Sequence, residues 1–234
     1  MKKIFVLLLA LILCLSACTK EQTPSGQDTK EPEQTQQTET EQEKKEEKER
    51  ELSQEEIVNY MSLTYVNGAS TDANYPVDTE VVLPDRHFVF EDVVSNPAEL
   101  LTYEYFYAIG TGDYEYLVDH TVGSDLKRGI QTIIKTDANG IFYKKVTLQE
   151  MEIVPIEQFF DFKYDFCEDV ATMAGNYRLS EYTVVKARAS YEYNELSLEM
   201  DPELEGGEIT RYLLVGRTDG DYYLLEVYGE DYVK

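Results

Sequence analysis

The chain has 234 residues, and its 46 acidic side chains outnumber 21 basic ones, which gives a formal net charge of −25. This balance argues against nucleic acid as a partner, because phosphate binding needs clustered lysine and arginine, and against electrostatic docking on anionic lipid. With 3 cysteines, 2 histidines and no CxxC or HxxxH spacing, the composition does not favour a zinc site. We expect no metal and no other cofactor. The composition alone does not indicate an enzymatic activity.

The first eighteen residues are typical of a secretory signal that ends in a lipid attachment site. After Met1-Lys2-Lys3 come 12 apolar residues, Ile4 to Leu15, whereas a membrane-spanning helix needs about 20. The segment Leu15-Ser16-Ala17-Cys18 resembles the lipobox of bacterial lipoproteins, whose signal peptidase cuts before a cysteine that carries diacylglycerol. The resemblance implies that residues 1–17 are removed and that Cys18 anchors the protein to the extracytoplasmic side of the cell membrane.

Residues 18–52 are predicted to be the lipidated cysteine and a disordered tether. The segment is rich in Glu, Gln, Thr and Lys, and its only aliphatic residue is Leu52, so it cannot bury enough apolar surface to offset its ordering entropy. Two acyl chains on Cys18 are enough for firm anchoring. Since Cys14 leaves with the signal, Cys167 is the one free thiol of the exported domain, and no intramolecular disulfide is expected.

Residues 53–95 are predicted to form a short helix and an irregular segment that leads into the domain at 96–234. The sequence Ser53-Gln54-Glu55-Glu56 is typical of a capping box, which opens a helix to about Leu63. Two short apolar runs, Val81–Leu83 and Phe88–Phe90, are open to interpretation as strands or as anchors of a loop.

Three helices are predicted at the start of the domain. Asn96 is a good N-cap and Pro97 suits the first helical position, so the first helix runs over Pro97–Ile109 and stops at Gly110-Thr111-Gly112. Asp113 is expected to cap a short second helix. A third helix is predicted over Ser124–Lys135.

After Gly140 the hydrophobic period approaches two, which indicates strands. The predicted strands are at 142–154, 182–194, 207–217 and 221–229, with a tight turn at Thr218-Asp219-Gly220-Asp221. Residues 156–180 are interpreted as a loop with a helical turn. Helices followed by an antiparallel meander indicate an α+β fold.

Two segments resemble NTF2-like domains, the superfamily of the SnoaL-like and ketosteroid-isomerase-like proteins. They are the helix–turn–helix over 105–117, with Gly110-Thr111-Gly112-Asp113 at its centre, and the final hairpin over 212–224, where Tyr222 stands in place of the usual tryptophan. The resemblance covers about 96–230 and implies N-terminal helices packed on a curved antiparallel sheet, as a cone with an internal pocket. It implies no reaction, because the superfamily hosts enzymes, binding modules and assembly domains alike.

Two residues are weak catalytic candidates. Glu226 alternates with Tyr222, Leu224 and Tyr228, so it either faces the pocket as a base whose pKa burial raises, or is an ordinary exposed charge on an edge strand. Cys167 is either a nucleophile, with His87 or His120 as its base, or a buried structural residue.

Tyrosines are the candidate ligand-binding residues, because a tyrosine combines apolar area with a polar tip. Tyr103 and Tyr107, one helical turn apart, and Tyr222 could line a cleft, although tyrosine is also common in half-buried helices and in strands. The acidic run from Glu192 to Glu208 lacks the ligand order of an EF-hand and is interpreted as a solvated loop rather than a Ca²⁺ site.

The leading hypothesis is a membrane-anchored, non-catalytic module that binds a small ligand, an envelope polymer or another protein. The alternatives are an isomerase- or hydrolase-type enzyme with a pocket carboxylate and an assembly module that forms a homodimer.

Overall fold

Residues 75–234 are the part of the chain that the computed structural model describes. The signal peptide, Cys18, the tether and the helix expected from Ser53 lie outside these residues. The elements are, in chain order, β1 Glu80–Val82, β2 His87–Phe90, α1 Pro97–Thr111, α2 Glu115–Asp119, α3 Ser124–Ala138, β3 Tyr143–Ile153, a 3-10 helix Ile156–Asp161, α4 Tyr164–Asn176, β4 Glu181–Tyr193, α5 Glu195–Met200, β5 Gly207–Thr218, β6 Asp221–Gly229 and α6 Glu230–Val233.

Helix α1 begins and ends as its sequence predicts. The side-chain oxygen of Asn96 accepts hydrogen bonds from the backbone N–H groups of Ala98 at 3.0 Å and Glu99 at 2.9 Å, and Pro97 fills the first helical position. Gly112 ends the helix with a left-handed φ of 84°, and its N–H donates to the Ala108 carbonyl. The helix is confirmed and runs two residues beyond its predicted end.

The six strands form one sheet in the order β1-β2-β3-β4-β5-β6. Strands β3 to β6 are an antiparallel meander, as predicted, and the turn at Asp219-Gly220 has the positive φ angles of a tight hairpin. Strand β2, however, pairs parallel with β3 across the connection that contains α1 to α3. The α+β class is therefore confirmed, whereas the sheet is mixed rather than wholly antiparallel.

Alternate residues of the central strands belong to two hydrophobic cores, one on each side of the sheet. On β4, Val185, Ala187 and Ala189 pack with helices α1, α2 and α3, whereas Tyr182 and Val184 pack with the 3-10 helix and α4. We call these sides the α1 face and the α4 face. Because successive strand residues point to opposite faces, a strand covered on both sides is buried at every position, as residues 182–185 are.

The interpretation of residues 156–180 as a loop was wrong. This segment holds a six-residue 3-10 helix and the thirteen-residue helix α4. Phe166, Cys167 and Val170 are fully buried on the α4 face, and Phe166 stacks on Phe159 with the ring centroids 5.9 Å apart. Each such buried apolar side chain contributes about 1.5–3 kcal/mol, so tertiary packing stabilises this helix.

Three β-bulges change which side chains share a face. In β3, Lys144 and Gln149 have no partner on β4, and Leu225 is the extra residue of β6 opposite Leu214 and Val215. Leu224 consequently packs on the α1 face, whereas Leu225 and Tyr228 pack on the α4 face.

The outer edge of β6 is covered where the bulge begins. The Leu224 N–H donates to the His120 carbonyl at 2.8 Å, and the Leu224 carbonyl accepts from the Val122 N–H at 3.1 Å. Gly123 then passes so close to the backbone of Leu225 that a Cβ atom would lie 1.8 Å from its carbonyl oxygen. Only glycine fits there.

Within residues 75–234, no helix combines the length and the hydropathy needed to cross a bilayer.

Candidate functional site

A small cavity that opens to solvent, with a volume of about 40 Å³, lies on the α1 face between helix α1 and the ends of strands β3 to β5. We call it the tyrosine cavity. The helix supplies residues from one side, and the pairing of Ala189 with Ile209 brings β4 and β5 together on the other. Its lining consists of Tyr105, Phe106, Ile109, Tyr143, Val146, Ala189, Ser190, Tyr191, Ile209 and Arg211.

Tyrosine rings form one wall of this cavity. The ring centroid of Tyr143 lies 4.8 Å from that of Tyr191 and 5.2 Å from that of Tyr193. Burial raises the pKa of Tyr143 far above its ordinary value and raises the pKa of Tyr193 to about 12. These phenols therefore stay protonated near neutral pH, and the Tyr193 hydroxyl forms hydrogen bonds with the hydroxyls of Tyr143 and Tyr191.

Arg211 is the one charged residue in the lining of the tyrosine cavity. Its Nη1 donates to the backbone carbonyl of Thr210 at 3.1 Å, and no carboxylate oxygen of residues 75–234 lies within 4 Å of its guanidinium. The positive charge opposes the rise in the pKa values of Tyr105 and Tyr143, so it acts directly on the hydroxyls around it. Four other arginines, in contrast, pair with carboxylates: Arg86, Arg128, Arg188 and Arg217.

The sequence interpretation missed Arg211, although a signal was present. Ile209, Arg211, Leu213 and Val215 alternate along β5 and all face α1. A cation in a row of core residues is uncommon, because burying a charge is costly. The row therefore marks a position that stability alone does not explain.

A second small cavity, of about 30 Å³, lies on the α1 face at the other end of the sheet, beside the start of α1. We call it the Tyr222 cavity. The Tyr222 hydroxyl donates to Glu181 Oε1, which also accepts from Arg217 Nη1 at 3.3 Å. Thr183 contributes a side-chain hydroxyl that has no hydrogen-bond partner, although the residue is only 5% exposed. The lining is completed by Asn96, Pro97, Ala98, Ile153 and Tyr182.

Of the three tyrosines singled out from the sequence, Tyr222 alone lines either cavity. Tyr103 is buried, its hydroxyl donates to the Asp78 carbonyl at 3.0 Å, and its ring stacks on Tyr107 and meets the edge of Phe88. Tyr103 and Tyr107 thus take part in an aromatic cluster under α1. Ligand binding by these tyrosines stays a prediction.

Glu226 does not share a face with all of the residues that simple alternation assigned to it. The bulge at Leu225 separates Leu224, on the α1 face, from Tyr228, on the α4 face, and Glu226 lines neither of the two cavities. Its half-buried carboxylate accepts the Val227 N–H at 3.0 Å. Burial raises the pKa of Glu226 to about 7, with further increases from Asp169 and Asp125.

The structure does not bring Cys167 together with either histidine. Its side chain is fully buried, the thiol donates to the Phe159 carbonyl at 3.7 Å, and burial raises its pKa to about 11. His87 contacts Glu80, and His120 stacks on Tyr116. A thiol in this environment is a poor nucleophile, because the thiolate is the reactive form.

The part of the chain that the structure describes contains no group of three or more His, Cys, Asp or Glu side chains that could hold a metal ion. The acidic run after Glu192, which we interpreted as a loop, begins with the short helix α5.

No protein-family model, curated protein or solved structure matches the chain. The geometry of the two cavities is therefore the basis for inferring its function.

Proposed function

We propose that this protein is a lipid-anchored, extracytoplasmic binding module that takes a small ligand into the tyrosine cavity. The observation that carries the proposal is the cavity itself, which opens to solvent and combines aromatic and aliphatic walls with the polar groups of its tyrosines, Ser190 and Arg211. Sites for small molecules generally have this composition, because apolar walls supply affinity and a few polar groups fix orientation.

The finer fold that we propose is an NTF2-like cone. It is supported by helices α1 and α2, joined across Gly112, which pack on the same face of the sheet as the tyrosine cavity. The final hairpin with Tyr222 adds to this support. Strands β1 and β2 and helix α4 would then be additions to the helix-and-meander pattern that the resemblance implies.

Anchoring through Cys18 is proposed from the sequence alone. A charged start, a short apolar run and a small residue before the cysteine together favour cleavage and lipidation there. A Cys18→Ser variant of the full chain should appear in the culture medium or keep its uncleaved signal, as judged by fractionation and by mass. Membrane retention with an unchanged mass would contradict the anchor without affecting the cavity.

Binding is better supported than catalysis, because neither Glu226 nor Cys167 lines the cavities described above. One observation favours proton-transfer catalysis as a second candidate, namely the pKa of about 7 at Glu226. A substrate would need to reach the carboxyl at the edge of the sheet, outside both cavities.

The ligand cavity is tested with benzamide, a small neutral aromatic probe, and with benzoate. Saturation-transfer NMR on the full chain should show signal transfer to the probe, and Ala189→Leu should abolish it by filling the cavity, since Ala189 is buried in the lining. Ala138→Leu is the matched control, because Ala138 is exposed at the end of α3. Ile209→Ala, which enlarges the cavity, is the second variant if Ala189→Leu fails to fold. Absence of transfer to both probes in the unmodified chain would overturn the proposal.

A further inference from the structure

Arg211 is placed where an unpaired cation is unfavourable. Its guanidinium is half-buried among tyrosine rings, and the other lining residues of the tyrosine cavity carry no charge. A charge that leaves water is normally compensated by a partner of opposite sign, which the described residues do not provide within 4 Å. Within residues 75–234, the positive charge of Arg211 is thus left without a carboxylate partner, and a bound anion would supply one.

Glu226 is a carboxylate within the described chain that could serve as the partner of Arg211 in place of a bound anion. Its carboxylate influences the pKa of Tyr105, as Arg211 does, but it forms no ion pair with Arg211 and instead accepts the Val227 N–H. Arg211 also lies on strand β5 with Leu213, facing α1, whereas Glu226 pairs with Leu214, which packs on the α4 face. The two charges thus form no ion pair, although both act on the Tyr105 hydroxyl.

The groups around Arg211 fit one chemical class of ligand. A guanidinium offers N–H donors in a planar fork that matches a carboxylate, and the neutral phenol of Tyr143 adds no competing charge to the lining. The tyrosine rings and the apolar residues of the cavity suit a flat apolar body. We propose that the tyrosine cavity selects a small organic anion, whose carboxylate pairs with Arg211 while its apolar body packs on the tyrosine rings. This inference deepens the proposed function and rests on it.

The negative net charge of the chain works against the binding of an anion. A net charge of −25 repels anions at long range, so a carboxylate reaches the cavity only if the local interaction with Arg211 outweighs that repulsion. Raising the salt concentration screens the long-range repulsion from exposed charges more than it weakens a half-buried pair.

The test compares benzoate with benzamide, which have nearly the same shape but differ in charge. On the full chain, benzoate should bind about 10- to 100-fold more tightly than benzamide, as expected for a charge-assisted hydrogen-bonded pair. Arg211→Gln should weaken benzoate binding by about that factor and benzamide binding much less, so that the advantage is lost. Arg217→Gln is the matched control, because it makes the same change on the same strand at an exposed arginine that pairs with Glu181.

The outcomes separate this inference from the proposed function. Equal binding of the two probes, or a benzoate preference that survives Arg211→Gln, would overturn the anion inference while leaving the ligand cavity in place. Failure of both probes to bind would overturn both. If circular dichroism shows that Arg211→Gln does not fold, Arg211→Lys keeps the charge but loses the planar fork, and it should reduce the benzoate preference by part of the same factor.

Discussion

The two faces of the sheet hold cores of different character. On the α4 face, Phe159, Phe162 and Phe166 pack ring against ring and continue into the buried Tyr212, with centroid distances of 5.3 to 6.4 Å. On the α1 face, the helices cover the middle of the sheet, and both cavities lie toward its ends. Aliphatic and small residues such as Val185 and Ala187 fill the space between them.

This difference assigns separate tasks to the two faces. The α4 face is packed with aliphatic residues around a group of touching rings, and neither cavity lies on it, so it contributes stability. The α1 face keeps polar groups, namely Arg211 in one cavity and the Thr183 hydroxyl in the other, where packing alone would favour apolar side chains. Substitutions on the α4 face should therefore change unfolding more than binding, and those in the cavities should do the opposite.

The largest effect is expected for Phe166→Ala on the α4 face. Phe166 is fully buried and contacts the rings of Phe159, Phe162 and Tyr228. Removing its ring should lower the free energy of unfolding by about 3–5 kcal/mol, measured by urea denaturation. Benzoate affinity of the remaining folded protein should not change. A loss below 1 kcal/mol would contradict the view that this face carries the stability.

A smaller effect, with a defined pH dependence, is expected for Glu226→Gln. The pKa of Glu226 is about 7 in the folded chain and 4.5 without the fold, so folding favours the protonated form. Its contribution to stability is fully present below pH 4.5 and is lost as pH rises through 7. The variant should be more stable than the parent by about 2 kcal/mol at pH 8, since solvent screens part of the effect at a half-buried group. This gain in the free energy of unfolding should vanish near pH 4. A gain that does not depend on pH would contradict the raised pKa of Glu226.

The smallest effect is expected for Thr183→Val in the Tyr222 cavity. The Thr183 hydroxyl is buried without a hydrogen-bond partner, so its replacement by a methyl group should raise the free energy of unfolding by about 1 kcal/mol. Thermal unfolding followed by circular dichroism measures this change. A decrease in stability would mean that the hydroxyl has a hydrogen-bond partner in solution. The Tyr222 cavity would then bind a polar molecule, as we propose for the tyrosine cavity.

Local signals allowed much of the fold to be predicted. Asn96 and Pro97 define the start of α1 through backbone hydrogen bonds that are local in sequence, and the Asp219-Gly220 turn fixes the last hairpin in the same way. Helix α4 was missed, although Phe166, Val170 and Met173 follow a helical spacing, because its short apolar stripe lies among acidic residues and is stabilised by packing against the sheet.

The sites were harder to predict than the fold. Alternation placed Glu226 with Leu224 and Tyr228, but the bulge at Leu225 shifts the register, and a bulge has no clear signal in a single strand. The candidate tyrosines were chosen for their side-chain chemistry, whereas the tyrosine cavity depends on which residues of α1, β4 and β5 meet in space. The one sequence signal for the tyrosine cavity is the position of Arg211 between the apolar residues Ile209 and Leu213 on β5.

Residues 120–123 cover part of the outer edge of β6, which matters when many copies of the protein are close together. An open sheet edge can template pairing with another chain, and this risk grows with local concentration. The described sheet presents a three-residue strand, β1, at one edge, and residues 120–123 cross the other edge beside the Leu225 bulge. At high local concentration, neighbouring copies would thus find little exposed strand on which to polymerise at these positions, and Gly123 permits the close crossing that blocks this route to aggregation.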